Sequence, residues 1–126
     1  MATFSAVLYS STLDKFYEAV AFLAAARARG DTALLFLRGP ALSAFTQDRW
    51  EMPPAFASES VFHFDGKTPM EFLKDLHGHG KIRLYACSAW VRLLGLDNAA
   101  VAARVDAVIG LVAFLSQSQG GPVLSF

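Results

Sequence analysis

Residues 3–37 read TFSAVLYSSTLDKFYEAVAFLAAARARGDTALLFL, two short apolar segments on either side of a longer amphipathic one. The segment at residues 3–9 predicts a buried strand, and the continuously apolar residues 32–37 predict a strand covered on both faces. Between them, apolar side chains recur at helical spacing and predict one buried helix face: Leu13, Phe16, Tyr17, Val20, Leu23 and Ala24. Such a strand–helix–strand unit implies parallel strands joined by a right-handed crossover.

Short motifs predict where the helices begin and end. Ser11 followed by Asp14 has the form of a capping box, in which each residue satisfies a free backbone amide of the other. Gly30 suits the left-handed position that ends many helices. Thr68, a proline and then Glu71 predict another helix start, with Thr68 as the cap.

The rest of the chain continues the alternation of strands and helices. Further strands are expected at residues 81–86, 105–109 and 122–126, and further helices after Thr68 and at residues 89–94, 97–102 and 111–118, with one short helical turn at 40–45. This order predicts a three-layer α/β/α sandwich on a mainly parallel five-stranded sheet. We expect one domain spanning residues 1–126.

Residues 46–68 contain no strongly predicted helix or strand. They include two consecutive prolines, Trp50 and the aromatic group formed by Phe62, His63 and Phe64. A connection of this length is uncommon inside a compact domain unless it has a role of its own. We therefore expect this excursion to be functional or to face another subunit.

Composition excludes several classes of protein. The chain has 126 residues, of which 54% are hydrophobic and 17% charged, and its 11 basic and 11 acidic residues cancel. A disordered chain would be less apolar, and a protein that binds nucleic acid through charge would carry a basic excess. The single cysteine excludes a disulfide within the chain. Zero net charge with high apolar content is unfavourable for a soluble monomer, so we expect part of the apolar surface to meet another subunit.

The sequence also carries expectations about location. No lysine or arginine precedes Lys15, which argues against a secretory signal or a basic transit peptide. No apolar run reaches the ~18 residues of a membrane span. We expect a cytoplasmic protein in a compartment that keeps thiols reduced.

Cys87 is the residue with the strongest claim to chemistry. It follows a predicted strand and precedes a predicted helix, and ligand sites in parallel sheets form at the carboxyl ends of strands. The helix dipole there favours an anion and thus the thiolate, the nucleophilic form. Ser88 would add a hydroxyl donor, and Arg92 follows about one turn later. A buried cysteine acting as a small apolar residue explains the position equally well.

Three histidines complete the set of candidate site residues. His63 or His77 would help to ionise Cys87 if the fold brought either one near it. A zinc site using His77 and His79 with a distant histidine is the weaker interpretation, because exposed histidines are ordinary at a glycine-flanked helix end. No dinucleotide or phosphate-binding glycine motif is present. We expect neither a metal nor a cofactor.

The segment around the cysteine, YACSAWVRLLGL at residues 85–96, resembles the DsrE/DsrF-like family of small sulfur-relay proteins. Other parts of the chain are similar to that family as well: LYSS at residues 8–11, the alanine-rich helix ending at Gly30, the apolar residues 34–37, residues 80–87, and GLVAFL at residues 110–115. The resemblance implies a five-stranded α/β/α domain, frequently trimeric or hexameric. It also implies that Cys87 carries persulfide sulfur.

Two kinds of function follow from these observations. In the first, the protein accepts sulfane sulfur on Cys87 from a donor protein and passes it to an acceptor, with no direct contact with nucleic acid or membrane. In the second, it is a non-catalytic module that binds a small molecule or nucleotide, or that assembles subunits, and the cysteine is structural. Persulfide chemistry on Cys87 distinguishes the two.

Overall fold

Five parallel strands form the centre of the computed structural model, which describes residues 2–56 and 58–126. The strands are β1 (Thr3–Leu8), β2 (Thr32–Leu37), β3 (Ile82–Cys87), β4 (Ala107–Ile109) and β5 (Val123–Ser125). They pair in the order β4-β3-β2-β1-β5, and every neighbouring pair is parallel. The predicted five-stranded parallel sheet is confirmed.

The helices are α1 (Leu13–Ala28), α2 (Gly39–Gln47), α3 (Pro69–Gly78), α4 (Ser88–Leu93), α5 (Asn98–Ala102) and α6 (Leu111–Gln117), with a 3-10 turn at Glu59–Phe62. The chain runs from β1 to β4 by steps between adjacent strands and then returns past all of them to β5. Because crossovers are right-handed, this reversal of direction carries α6 to the sheet face opposite α1.

Alternation along the strands divides the core between two sheet faces. Leu35 and Leu37 of β2 belong to the larger hydrophobic cluster, which contains the buried face of α1. Leu34 and Phe36 belong to the smaller cluster, which contains Phe114 of α6. The rings of Phe36 and Phe114 stack with centroids 4.3 Å apart. Helices therefore cover both faces of the sheet, which confirms the α/β/α sandwich.

Two local predictions about helix starts had different outcomes. Thr68 Oγ1 accepts a hydrogen bond from the backbone amide of Glu71 at 3.1 Å, and Glu71 Oε1 accepts one from the amide of Thr68 at 2.9 Å, so this capping box is confirmed. The box predicted at Ser11 is wrong. Thr12 occupies the cap position, and Ser11 Oγ instead donates to Glu51 Oε2 at 3.0 Å.

The displaced cap has a cause in the excursion. Its residue Glu51 bonds the start of α1 through the backbone, since the amide of Leu13 donates to the Glu51 carbonyl at 2.8 Å. The helix amide is therefore satisfied without a side-chain cap. Trp50, the residue before Glu51, also contacts α1, because its ring stacks on that of Phe16 at a centroid distance of 4.0 Å. The described part of the excursion thus packs against α1.

Element lengths also differ from expectation in two places. The short turn expected at residues 40–45 is the nine-residue helix α2, because Pro40 stands in the first turn, where proline is tolerated. The strand expected at residues 105–109 is shortened to β4, since the Asp106 amide and carboxylate bond Leu84 before the ladder begins. Among the described residues, no helix has the length and apolarity that crossing a bilayer requires.

Candidate functional site

Cys87 is the last residue of β3, and α4 begins at the next residue. Its register partner is Ile109, the last residue of β4, after which Gly110 leads into α6. The connections that leave β3 and β4 go to opposite faces of the sheet, so these two strand ends form a topological switch point. Ligand sites of open parallel sheets form at such points.

The thiol itself is buried at this edge. Cys87 is free of any disulfide and only 1% exposed. It packs in the smaller hydrophobic cluster, whose other members are Leu34, Phe36, Tyr85 and Phe114. A reagent therefore reaches the sulfur only after a local movement of the chain.

Ser88 lies where the two connections approach each other. It is the exposed first residue of α4, and its Oγ is 3.7 Å from the position that a Cβ on Gly110 would occupy. Arg92, four residues further along the same short helix, is exposed and makes no side-chain hydrogen bond or ion pair with any described residue. Ser88 therefore lies at the switch point next to Cys87, whereas the exposed Arg92 side chain has no protein partner among the described residues.

Arg38 is a residue of this edge that the sequence reasoning missed. Leu37 pairs in register with Ala86, and Arg38 keeps an extended backbone with φ −138° and ψ 166°. Alternation then places Arg38 beside Cys87, on the sheet face of Phe36, with neighbouring strands ~4.8 Å apart. The Nε of Arg38 is buried and bonds no other described residue.

Two aromatic side chains, Tyr9 and Trp90, also lie at this edge of the sheet. The Tyr9 ring packs against Gly39, where a side chain would collide with it, and it meets the Trp90 ring edge to face at 5.7 Å. Trp90 packs against both hydrophobic clusters, including the one that contains Cys87. The half-buried Trp90 side chain therefore contacts both Tyr9 and the hydrophobic cluster that contains Cys87.

The histidines lie elsewhere. His77 Nε2 is 3.0 Å from Asp106 Oδ2, and the same carboxylate accepts the amide of Leu84, three residues before Cys87 in β3. Three residues of strand correspond to ~10 Å, so His77 is far from the thiol. His63 lines a cavity of about 180 Å³ beside Phe16, on the α1 side of the sheet. The structure brings neither histidine to Cys87.

His63 lies near a carboxylate of its own region, that of Glu71. Hydrogen bonds from the backbone and hydroxyl of Thr68 lower the pKa of Glu71, and the nearby His63 lowers it further. The Glu71 carboxylate belongs to the capping box at the start of α3, where it accepts the amide of Thr68. In the ranges 2–56 and 58–126, no three His, Cys, Asp or Glu side chains converge as metal ligands would.

A surface groove lies beside Trp90. Its volume is about 350 Å³, and its wall residues come from the segments that leave β1, β2 and β3 at their carboxyl ends. Ser11 follows β1, Pro40 begins α2 after β2, and Trp90 lies in α4 after β3. Arg49 and Glu51 add charged groups of opposite sign. Thus Trp90 both lines the groove and packs on the cluster of Cys87.

No protein-family model matches the sequence, and no curated protein is significantly similar to it.

Proposed function

We propose that this protein is a sulfur-relay carrier that holds sulfane sulfur as a persulfide on Cys87 and passes it to a partner protein. The observation that supports this best is the position of Cys87 at the switch point, with Arg38 beside it at the end of the neighbouring strand. The resemblance of residues 85–96 to the DsrE/DsrF-like family agrees with the same chemistry. A carrier of this kind works where thiols stay reduced, as in the cytoplasm.

The transfer needs no oxidant and no cofactor. The Cys87 thiolate attacks the outer sulfur of a donor persulfide, R–S–SH, and the bond between the two donor sulfurs breaks. The products are Cys87–S–SH and the donor thiolate R–S⁻, which takes a proton from solvent. An acceptor thiolate then attacks the outer sulfur on Cys87 in the same way and restores the free cysteine.

Arg38 gives the anionic forms of this cycle a counter-charge. Both the attacking thiolate and the persulfide, once it loses its proton, carry negative charge on sulfur. An unpaired charge at a buried site is costly, whereas a neighbouring guanidinium stabilises it. The buried Arg38 Nε bonds no other described residue, and we propose that this guanidinium is the partner of an anion on Cys87.

Burial of the thiol sets a requirement on the mechanism. With 1% of Cys87 exposed, the donor reaches it only when part of its surroundings moves aside, and both Trp90 and Phe114 of α6 pack in those surroundings. Short elements are suited to such motion: α4 has six residues and α6 has seven. Local openings of this kind cost less free energy than global unfolding.

The direct test is incubation of the folded protein with glutathione persulfide, followed by intact-mass measurement. We expect one added sulfur on the native protein and none on Cys87→Ser, whose hydroxyl does not exchange with persulfide sulfur. Subsequent addition of a thiol should remove the sulfur and restore the original mass. A native protein that gains no sulfur at neutral pH would contradict the proposal.

The burial of Cys87 favours a second candidate, a module in which this cysteine is structural. Free cysteine is among the most buried residue types and packs as a small apolar side chain. In that case Cys87→Ala retains the fold and any partner binding, and the native thiol is alkylated only at the rate of global unfolding. Alkylation much faster than unfolding supports the carrier instead.

Self-association forms part of either candidate. The outer side of α6 presents Leu111, Val112 and Leu115, of which Val112 is 81% exposed. Single exposed apolar residues are common, but a helix face with three of them is expected to meet another surface. We propose that α6 contributes to a homotrimer or homohexamer.

A further inference from the structure

We infer that the groove beside Trp90 binds the sulfur donor, and that this donor is a small persulfide carrying both a carboxylate and an ammonium group. This inference rests on the proposed function, whose site it extends from the thiol to the substrate. The groove is lined by residues of the connections that follow β1, β2 and β3.

The size of the groove fits a small molecule. Its volume of about 350 Å³ falls within the ~300–1,000 Å³ of small-molecule sites. Its walls mix hydroxyl and amide groups with the apolar side chains of Pro40, Trp90 and Leu94. A short peptide-like thiol offers the same mixture of polar groups and aliphatic carbon.

The charged residues of the groove indicate the chemical class of the sulfur donor. Arg49 and Glu51 both line it, yet they form no ion pair, since no guanidinium nitrogen of Arg49 lies within 4.0 Å of a carboxylate oxygen of Glu51. Ser11 Oγ donates to Glu51 Oε2 at 3.0 Å and so orients that carboxylate. A ligand with one carboxylate for Arg49 and one ammonium for Glu51 satisfies both groups. A donor with a single charge satisfies only one of them.

Trp90 connects this groove with the thiol. It lines the groove and packs on the cluster that contains Cys87, so a donor bound there lies one side chain away from that cluster. When Trp90 turns aside, the outer sulfur of the donor meets the Cys87 thiolate. The sulfur–sulfur bond of the donor breaks, the new bond forms on Cys87, and the donor leaves as its thiolate.

The test compares two donors on the same variants. Glutathione persulfide carries carboxylate and ammonium groups, whereas 2-hydroxyethyl persulfide carries neither. We expect Arg49→Gln and Glu51→Gln each to slow sulfur transfer from glutathione persulfide by about two- to fivefold, the range of a solvent-exposed ion pair. Transfer from 2-hydroxyethyl persulfide should keep its rate. Lys81→Gln, an exposed charge outside the groove, is the control.

A binding measurement separates this inference from the proposed function. Calorimetric titration with S-methylglutathione, which cannot donate sulfur, should show binding that both groove variants weaken. Unchanged transfer and binding in both variants would overturn the groove assignment while leaving Cys87 as the carrier. Weakened binding without sulfur on Cys87 from either donor would support the groove and refute the carrier.

Discussion

The indole ring of Trp90 meets the phenol ring of Tyr9 edge to face, with the ring centroids 5.7 Å apart. Tyr9 is 49% exposed, so this contact lies at the surface, and Trp90 also packs on the cluster that contains Cys87. The same aromatic side chain thus contacts the surface, the groove and the cluster of the buried thiol. Its mobility is expected to control how fast that thiol reacts.

Trp90→Ala should accelerate alkylation of Cys87 by iodoacetamide in the folded protein. Removing the ring eliminates packing that must be broken before a reagent enters, and a decrease of ~1.4 kcal/mol in the opening free energy gives about a tenfold faster reaction. Leu96→Ala is the matched control, because Leu96 packs on the larger cluster and not on that of Cys87. Equal rates in the two variants would show that Trp90 does not limit access.

Arg38 should matter to the reactivity of the thiol rather than to its exposure. Arg38→Gln removes the cation beside Cys87, so we expect about a tenfold slower sulfur transfer at neutral pH, equivalent to ~1.4 kcal/mol. Arg38→Lys, which keeps the charge, should recover part of the rate, a rescue that a merely structural residue would not show. A transfer rate in Arg38→Gln equal to that of the native protein would exclude this role.

The order of strands and helices could be predicted from sequence because it depends on local patterns. Apolar spacing identified α1, and continuous apolar residues identified β2 as a strand covered on both faces. Hydrogen bonds between a residue and its near neighbours also follow from sequence, as at Thr68 and Glu71. The predicted cap at Ser11 failed because Glu51, distant in sequence, took both the helix amide and the serine hydroxyl.

The site was harder to predict, for the same reason. That Cys87 ends a strand is a local property, and the sequence indicated it. Its burial depends on Phe114 of α6, and its neighbour Arg38 depends on the pairing of β2 with β3. Neither is visible in spacing along the chain. The lone arginine after an apolar strand gave no signal until the strand register was known.

Gly121 tests how the last strand is held. A Cβ at this position would fall inside the van der Waals radius of the Thr3 carbonyl oxygen, which belongs to the backbone of β1 and cannot turn away. Gly121→Ala is therefore expected to lower the free energy of unfolding by about 2 kcal/mol or more, through displacement of β5. Chemical denaturation measures this difference.

The matched control is Gly78→Ala at the end of α3. There a Cβ meets nothing within 4 Å, and the backbone is not left-handed. Alanine should stabilise this helix by up to ~1 kcal/mol, because it loses less backbone freedom on folding than glycine. Similar effects of the two substitutions would contradict the close approach of Gly121 to β1.

Glu71 gives the capping box a defined pH dependence. Hydrogen bonds from Thr68 lower the pKa of this carboxyl in the folded protein, so its contribution to stability is present above the unfolded pKa, about 4.3, and is lost as pH falls. Glu71→Gln should lower Tm at pH 7, and the difference should shrink as pH falls through the lowered pKa of Glu71, where the native side chain also becomes neutral. Glu18→Gln, on the exposed side of α1, is the control. A Tm difference that stays constant with pH would contradict this role.

Val112 tests the proposed assembly through α6. It lies in the first turn of that helix and is 81% exposed, so Val112→Asp places a charge on the apolar face while its position near the helix N-terminus favours an acid. We expect the substitution to dissociate the oligomer without loss of helix content. Sedimentation velocity and circular dichroism measure the two quantities. Leu93→Asp, at a residue 66% exposed in α4, should leave assembly intact. A native protein that sediments as a monomer, or a Val112 variant that keeps the native size, would show that α6 is not the interface.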